Sequence, residues 1–267
     1  MNEADRDLEF FDPTDECAAS VSAPTVQNDA SFTESSIRCP VCHTLCNESG
    51  QPNLTNCQTC RHVFQSDLAV TISYDAKYAH QYDSRPVAEM SDLRWGFIDA
   101  ALNLSKGSRV LDIGYGNGAF LKRARAAGMD IYGIDLHTED FGVPVVDFET
   151  KLSFDLICFF DSMEHFPSFA PLSKLKSRNV IVSIPETPDF ILRAPRRWRH
   201  YKPGEHLHYF SHQSLDLLMS KWGFSDKVAK GYPEDNIRGK LLIDGKNYDN
   251  IYTAIYRSNR PDGTHHT

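Results

Sequence analysis

Two cysteine pairs, Cys39-Pro-Val-Cys42 and Cys57-Gln-Thr-Cys60, have the spacing most specific for chemistry in this chain. Each C-x-x-C turn aims two thiolates at one point, and two such turns about fourteen residues apart can close a tetrahedral site. Zinc is the expected occupant and rubredoxin-like iron the rival. Four protein ligands leave no open position, so the role is structural or recognitive rather than catalytic. A segment as short as 38–66 has too little core to fold without the metal. The chain has seven cysteines, and paired spacing in a cytosolic setting favours metal over disulfides.

The run Val110-Leu111-Asp112-Ile113-Gly114-Tyr115-Gly116-Asn117-Gly118 reads as an apolar strand entering a glycine-rich loop and a helix. A nucleotide-like ligand sits beyond the carboxyl ends of parallel strands, where side chains on Gly114, Gly116 and Gly118 would collide with it. The following helix start offers free N–H groups to an anion. Gly114-x-Gly116-x-x-Ala119 also satisfies the dinucleotide fingerprint, so a nicotinamide cofactor stands as an alternative. Asp112 favours S-adenosylmethionine: a carboxylate there accepts from the methionine ammonium but repels a pyrophosphate. Asp135, closing the next strand, is placed for the ribose hydroxyls, and Asp147, after a further short strand, for the adenine amino group.

Methyl transfer from such a donor is an in-line displacement that depends mostly on orientation and desolvation. A hydroxyl or acidic-carbon acceptor adds the need for a general base. His165, after the strand 154–160, and His206 and His208, in the segment expected to cover the substrate, are the candidates. Structural hydrogen bonding within that loop is their competing role. The stretch Arg193 to Lys202 is basic and aromatic, suited to an acidic or phosphorylated substrate, or else a solvated loop pinned by Trp198. Amino-methylating DNA enzymes place Pro-Pro-Tyr or Pro-Pro-Phe where this chain has Asp161-Ser162-Met163, and Cys158 falls inside a strand rather than at a nucleophile's position.

These residues need a scaffold, and the pattern supplies one. Residues 1–37 are rich in Asp, Glu and Ser without periodicity and read as a disordered acidic tail. The module 38–66 follows. Residues 67–106 are a helical linker, with Tyr74, Tyr78 and Tyr82 on one stripe, then Met90, Leu93, Phe97 and Leu102 on another. From 107 to 258, apolar strands at 109–113, 130–136, 143–146, 154–160, 179–184 and 251–256 alternate with helix-length segments, leaving a short tail at 259–267. That alternation predicts an α/β, Rossmann-like, doubly wound and mostly parallel sheet. Net charge is −8, which argues against nucleic acid as the default partner. No apolar run is long enough for a bilayer, and the acidic start is unlike a secretory signal, so a cytoplasmic location is expected.

Residues 109–256 resemble class I S-adenosylmethionine-dependent methyltransferases. The resemblance rests on VLDIGYGNGAFL at 110–121, IYGIDL at 131–136, FDLICFFDSMEHF at 154–166, NVIVSIPET at 179–187 and GEHLHYFSHQSLDLLMSKWGF at 204–224. The last piece is similar to a small-molecule or sugar-type subgroup whose members often carry an N-terminal zinc module. The resemblance implies Asp112, Gly114, Gly116, Gly118 and Asp135 as cofactor contacts, and Phe160 and Asp161 as the loop beside the donor. Met163 replaces the usual Leu, and Ser177-Arg178 replaces the usual Lys-Pro-Gly-Gly turn. The expected function is methylation of a small molecule, with a sugar or nucleotide-linked compound in view. In the alternative, the zinc ribbon is an adaptor that docks a protein or nucleic acid.

Overall fold

The computed structural model describes residues 37–47, 49–72, 86–136 and 142–259, all of which belong to one compact unit. The acidic tail and the Tyr74, Tyr78 and Tyr82 stripe lie outside the described residues. In chain order the elements are β1 (Ile37–Arg38), β2 (Leu45–Cys46), β3 (Leu54–Asn56), β4 (Val63–Gln65), α1 (Val87–Leu102), β5 (Arg109–Ile113), α2 (Ala119–Ala126), β6 (Asp130–Ile134), β7 (Ser153–Phe160), β8 (Lys176–Pro185), β9 (His208–Tyr209), α3 (His212–Lys221), β10 (Asp226–Gly231), α4 (Asp235–Arg238), β11 (Leu241–Ile243), β12 (Lys246–Tyr248) and β13 (Ile251–Arg257).

Six strands form the central sheet in the order β10-β13-β8-β7-β5-β6. The pairs β5/β6, β5/β7 and β7/β8 are parallel, while β13 runs antiparallel to β8 and β10 to β13. The sheet is therefore Rossmann-like and mostly parallel, as the alternating pattern predicts. β7 and β8 are buried over most of their length, as strands covered on both faces are. The chain leaves β5 for β6 on one side and returns to β7 on the other. That reversal puts the topological switch point, where α/β folds open a crevice, above the end of β5. Among the described residues no helix is long and apolar enough to cross a membrane.

Two expectations change. The strand expected at 143–146 is a single bridge, Gly133 with Val145; Pro144 and its exposed neighbours leave it only the edge of β6 to pair with. On α1 the buried face is Ser91, Trp95 and Ile98, one position round from the expected Met90, Leu93 and Phe97 stripe. Trp95 packs beside Phe120 of α2, ring centroids 6.5 Å apart, and this contact sets the rotation of the helix. Asn103, with φ of 46°, ends it.

The cysteine segment shares its structure with the main sheet's domain. β3, β4 and β9 make one three-stranded sheet, Val63 facing Tyr209 and Phe64 facing His208. Cys39, Val41, Cys57, Cys60 and Phe64 lie in the same core cluster as Leu215, Met219 and Phe224.

Candidate functional site

β5 delivers Asp112 to the switch point, buried, with Oδ1 lacking any hydrogen-bond partner. Burial pushes its carboxyl up to about 7; the Arg94 guanidinium opposes this and the charge of Asp135 adds to it. A buried, unsatisfied carboxylate oxygen at this place fits a cationic ligand group such as an ammonium. The loop that follows turns through positive φ at Gly114 (79°), Gly116 (52°) and Gly118 (70°). Gly116 N–H donates to Asp135 Oδ2 at 2.9 Å, so the loop and the carboxylate at the end of β6 are held together. Gly118 opens α2; the Ala119 N–H donates to Asn117 Oδ1 at 3.1 Å, and the next N–H groups of the first turn have no partner within the helix.

Gly114 also lies against the turn after β7: a Cβ there would stand 2.7 Å from Ser162 Cβ. Gly114→Ala therefore combines a left-handed backbone penalty with a steric clash, each about 1–3 kcal/mol. Chemical denaturation is expected to show a loss of about 2–5 kcal/mol. A variant as stable as the wild type would show that the loop can move away from Ser162.

Phe160 and Asp161, at the end of β7, face an ion-pair cluster that the sequence pattern does not reveal. Arg94 of α1 lies over the Phe160 ring, 4.3 Å from its centroid. It donates to both oxygens of Glu234 (2.7 and 3.1 Å) and to Asp161 Oδ2 (3.1 Å). Arg238 of α4 pairs with the same two carboxylates. Burial works against ionisation of Asp161, but the Arg238 and Arg94 guanidinia override it and hold the carboxyl well below the usual range. Asp161 has φ of 52°, which turns the chain after β7. One signal for Arg94 was available: it is a cation beside the buried face of an amphipathic helix.

Beyond Asp161 come Glu164 and His165, and the segment before β9 brings His206 to them. The Glu164 carboxyl and a ring nitrogen each of His165 and His206 lie within 4.8 Å of one another. The two imidazoles meet edge to face with centroids 4.7 Å apart. His165 Nδ1 donates to the Glu205 carbonyl at 2.9 Å, which leaves Nε2 as the basic nitrogen. His206 Nδ1 and both Glu164 oxygens are buried without a hydrogen-bond partner. Burial lowers His165 and takes His206 down to about 2, helped for His206 by the neighbouring His165, Lys202 and His200. Burial and the charge of Asp161 push Glu164 well up. Neutral imidazoles beside a carboxyl group can exchange a proton, and the same donors satisfy the distances for a divalent cation.

His208 lies elsewhere. Its ring is buried in the seam with the cysteine segment, Nε2 on the Phe166 carbonyl at 2.8 Å and Nδ1 sharing a 3.0 Å bond with His62 Nε2. Both nitrogens are engaged within the protein, and the irregular backbone at 205–207 breaks the alternation that would otherwise put 206 and 208 on one face. Asp147 is exposed, and its Oδ1 accepts from Glu149 N–H, capping its own turn. In the basic stretch Trp198 is buried against Leu54, Val63 and Tyr209, while Arg193, Arg196, Arg197 and Arg199 are exposed.

Cys39, Cys42, Cys57 and Cys60 converge, with Sγ atoms 3.5 Å (Cys39–Cys60) and 3.3 Å (Cys42–Cys57) apart. A tetrahedral zinc–thiolate site needs edges of about 3.8 Å, so the cluster has the right size. The two turns are built alike. His43 N–H donates to Cys39 O and Arg61 N–H to Cys57 O, and His43 and Arg61 both take positive φ. Burial raises the Cys39 thiol to about 11, whereas Cys57, despite burial, is drawn down to about 6 by N–H and thiol donors around it. Four adjacent thiols cannot all ionise without a cation, which is the chemistry a zinc site requires. His62 is engaged by Ser214 and His208.

The fold and the crevice define a nucleotide-type α/β domain built around the end of β5. A family model described as a methyltransferase domain matches residues 78–227, more than half of the chain, and the chain belongs to that family. Among curated relatives, the ubiquinone biosynthesis O-methyltransferase of Burkholderia ambifaria (strain MC40-6) is 32% identical over 103 residues, covering 32% of this chain and 44% of the relative. The match thus spans less than half of that relative's length. Among solved structures, a protein from Pyrococcus horikoshii OT3 superposes with a TM-score of 0.48 at 17% identity, covering 70% of this chain and all of that one. The magnesium protoporphyrin IX methyltransferase of Synechocystis PCC 6803 with bound S-adenosylhomocysteine gives 0.44 at 16% identity, covering 71% and 89%.

Proposed function

We propose that this chain transfers a methyl group from S-adenosylmethionine to a small molecule. The observation that carries the reading is the buried, unsatisfied Asp112 beside a glycine loop tied to Asp135. When bound, the cofactor supplies an electrophilic methyl group. Asp112 accepts from its ammonium, the N–H groups opening α2 face its carboxylate, and Asp135 accepts from its ribose hydroxyls. Phe160 and the Arg94–Asp161 pair wall the crevice and exclude water. His206 and His165, neutral in the free site, are the bases for the acceptor's proton. The acceptor is a hydroxylated small molecule. Its finer description as a sugar or nucleotide-linked compound is favoured by the exposed arginines of 193–199, which suit a phosphate. Cys39, Cys42, Cys57 and Cys60 hold a structural zinc ion.

Calorimetry with S-adenosylhomocysteine tests this directly. The ammonium must pull Asp112 below its unliganded value of about 7, so binding below that pH releases a proton. Affinity is therefore expected to rise up to about tenfold per pH unit as pH approaches 7, and to level off above it. Buffers of different ionisation enthalpy would show the proton. Tight binding of NAD with none of S-adenosylhomocysteine would overturn the proposal. Incubation with labelled donor and a metabolite extract then identifies the acceptor by mass.

A further inference from the structure

The cysteine segment and the histidine pair are mechanically continuous. Both C-x-x-C turns dock on one helix: Gln213 donates to Thr59 O (3.3 Å), Ser211 Oγ to Cys60 O (3.4 Å) and Lys221 Nζ to Val41 O (2.7 Å). Gln65, at the end of β4 and buried, reaches further. Its N–H donates to Leu207 O at 2.8 Å, and its side-chain amide donates to Tyr209 Oη at 2.7 Å and to His206 O at 3.4 Å. On the opposite side Leu207 N–H donates to Glu164 O at 2.8 Å. The His206–Leu207 backbone is thus clamped between β4 and the turn carrying Glu164 and His165. A second tie runs from Ser214 through His62 and His208 to the Phe166 carbonyl, next to His165.

We infer that Gln65 is a positioning residue for the His165–His206 pair, and that the metal-closed cysteine segment is the rigid support of the active site rather than a docking adaptor. This rests on the proposed role of the two histidines. The physical need is plain: neither 164–166 nor 206–207 belongs to the six-stranded sheet, so both depend on bonds made sideways to stay in register. A β4 anchored by two metal-closed turns supplies those bonds from a scaffold that cannot fray.

The test uses the full chain and needs no methyl acceptor. Gln65→Met keeps side-chain volume and the backbone pairing but removes both amide hydrogen bonds. Zinc content is expected to be full, and S-adenosylhomocysteine affinity within about threefold of wild type, since Asp112 and Asp135 are untouched. Amide exchange at 206–209 should accelerate at least tenfold, and the nuclear Overhauser contact between the His165 and His206 rings should disappear while the signal of exposed His212 stays in place. A second arm chelates zinc from the wild-type chain and follows exchange at 164–166 and 206–209, which should quicken with that at 57–65. Unchanged protection at 206–209 in either arm, or a retained ring–ring contact in Gln65→Met, overturns the inference. A wild-type chain that bound no S-adenosylhomocysteine would instead overturn the functional proposal, leaving the exchange result to be judged separately.

Discussion

Asp135→Ala is expected to weaken binding of S-adenosylhomocysteine by about 100-fold while leaving the fold intact. Two effects add. The bonds that the proposed function gives this carboxylate to two ribose hydroxyls would be charge-assisted, each about 1.5–3 kcal/mol net. The same carboxylate accepts from Gly116 N–H at 2.9 Å, so its removal also frees the glycine loop that it holds in shape. A net loss of about 3 kcal/mol corresponds to the stated factor. Stability should change little, because Asp135 is only partly buried and closes a strand whose pairing is made by backbone groups. Asp135→Asn separates the contributions: an amide oxygen can still accept from Gly116 N–H but carries no charge, so an intermediate loss of about tenfold is expected. Calorimetry on a chain with an unchanged melting transition checks both variants. Unaltered affinity in Asp135→Ala would remove the residue from the cofactor site.

His206→Ala is expected to lower kcat by about 10²–10³-fold with S-adenosylhomocysteine affinity within about threefold of wild type. The ring is buried against His165 with one nitrogen unpartnered, a desolvation cost that the fold tolerates for no evident structural return. His208 provides the internal comparison: equally buried, it has both nitrogens bonded, and His208→Ala is a defect of the seam. Burial holds the His206 imidazole well below its unfolded value near 6.5, so the ring of the free site is neutral around pH 7. The rate profile should therefore lack an inflection near pH 6.5 from this residue. Turnover unchanged in His206→Ala, measured with the acceptor found by labelling, would refute the base assignment.

The features legible in the sequence are those whose physics is local. A C-x-x-C turn needs only its own residues to aim two thiols, so the four cysteines that converge could be named before any fold was known. The run from Val110 to Gly118 declares a strand, a left-handed loop and a helix start within nine residues. Asp112 and Asp135 follow because each sits where a parallel strand ends. Apolar alternation likewise gave the sheet, although the edge segment 143–146 makes one bridge instead of a strand.

Long-range pairing decided the rest. Arg94, Glu234 and Arg238 come from helices 140 residues apart in sequence and meet at Asp161 only because α1 and α4 flank the end of β7. The rotation of α1 that aims Arg94 is set by Trp95 on Phe120, a contact no single helix encodes. His206 and His208 are two residues apart, equivalent by type and spacing; a regular strand would put both on one face, and only the turn before β9 leaves one beside His165 and the other in the seam. The sequence alone determined which residues can carry chemistry at the two motifs. Only the tertiary structure decided that the cysteine segment and the crevice are joined, because Gln65, Leu207 and Glu164 share backbone hydrogen bonds that leave no trace in side-chain pattern.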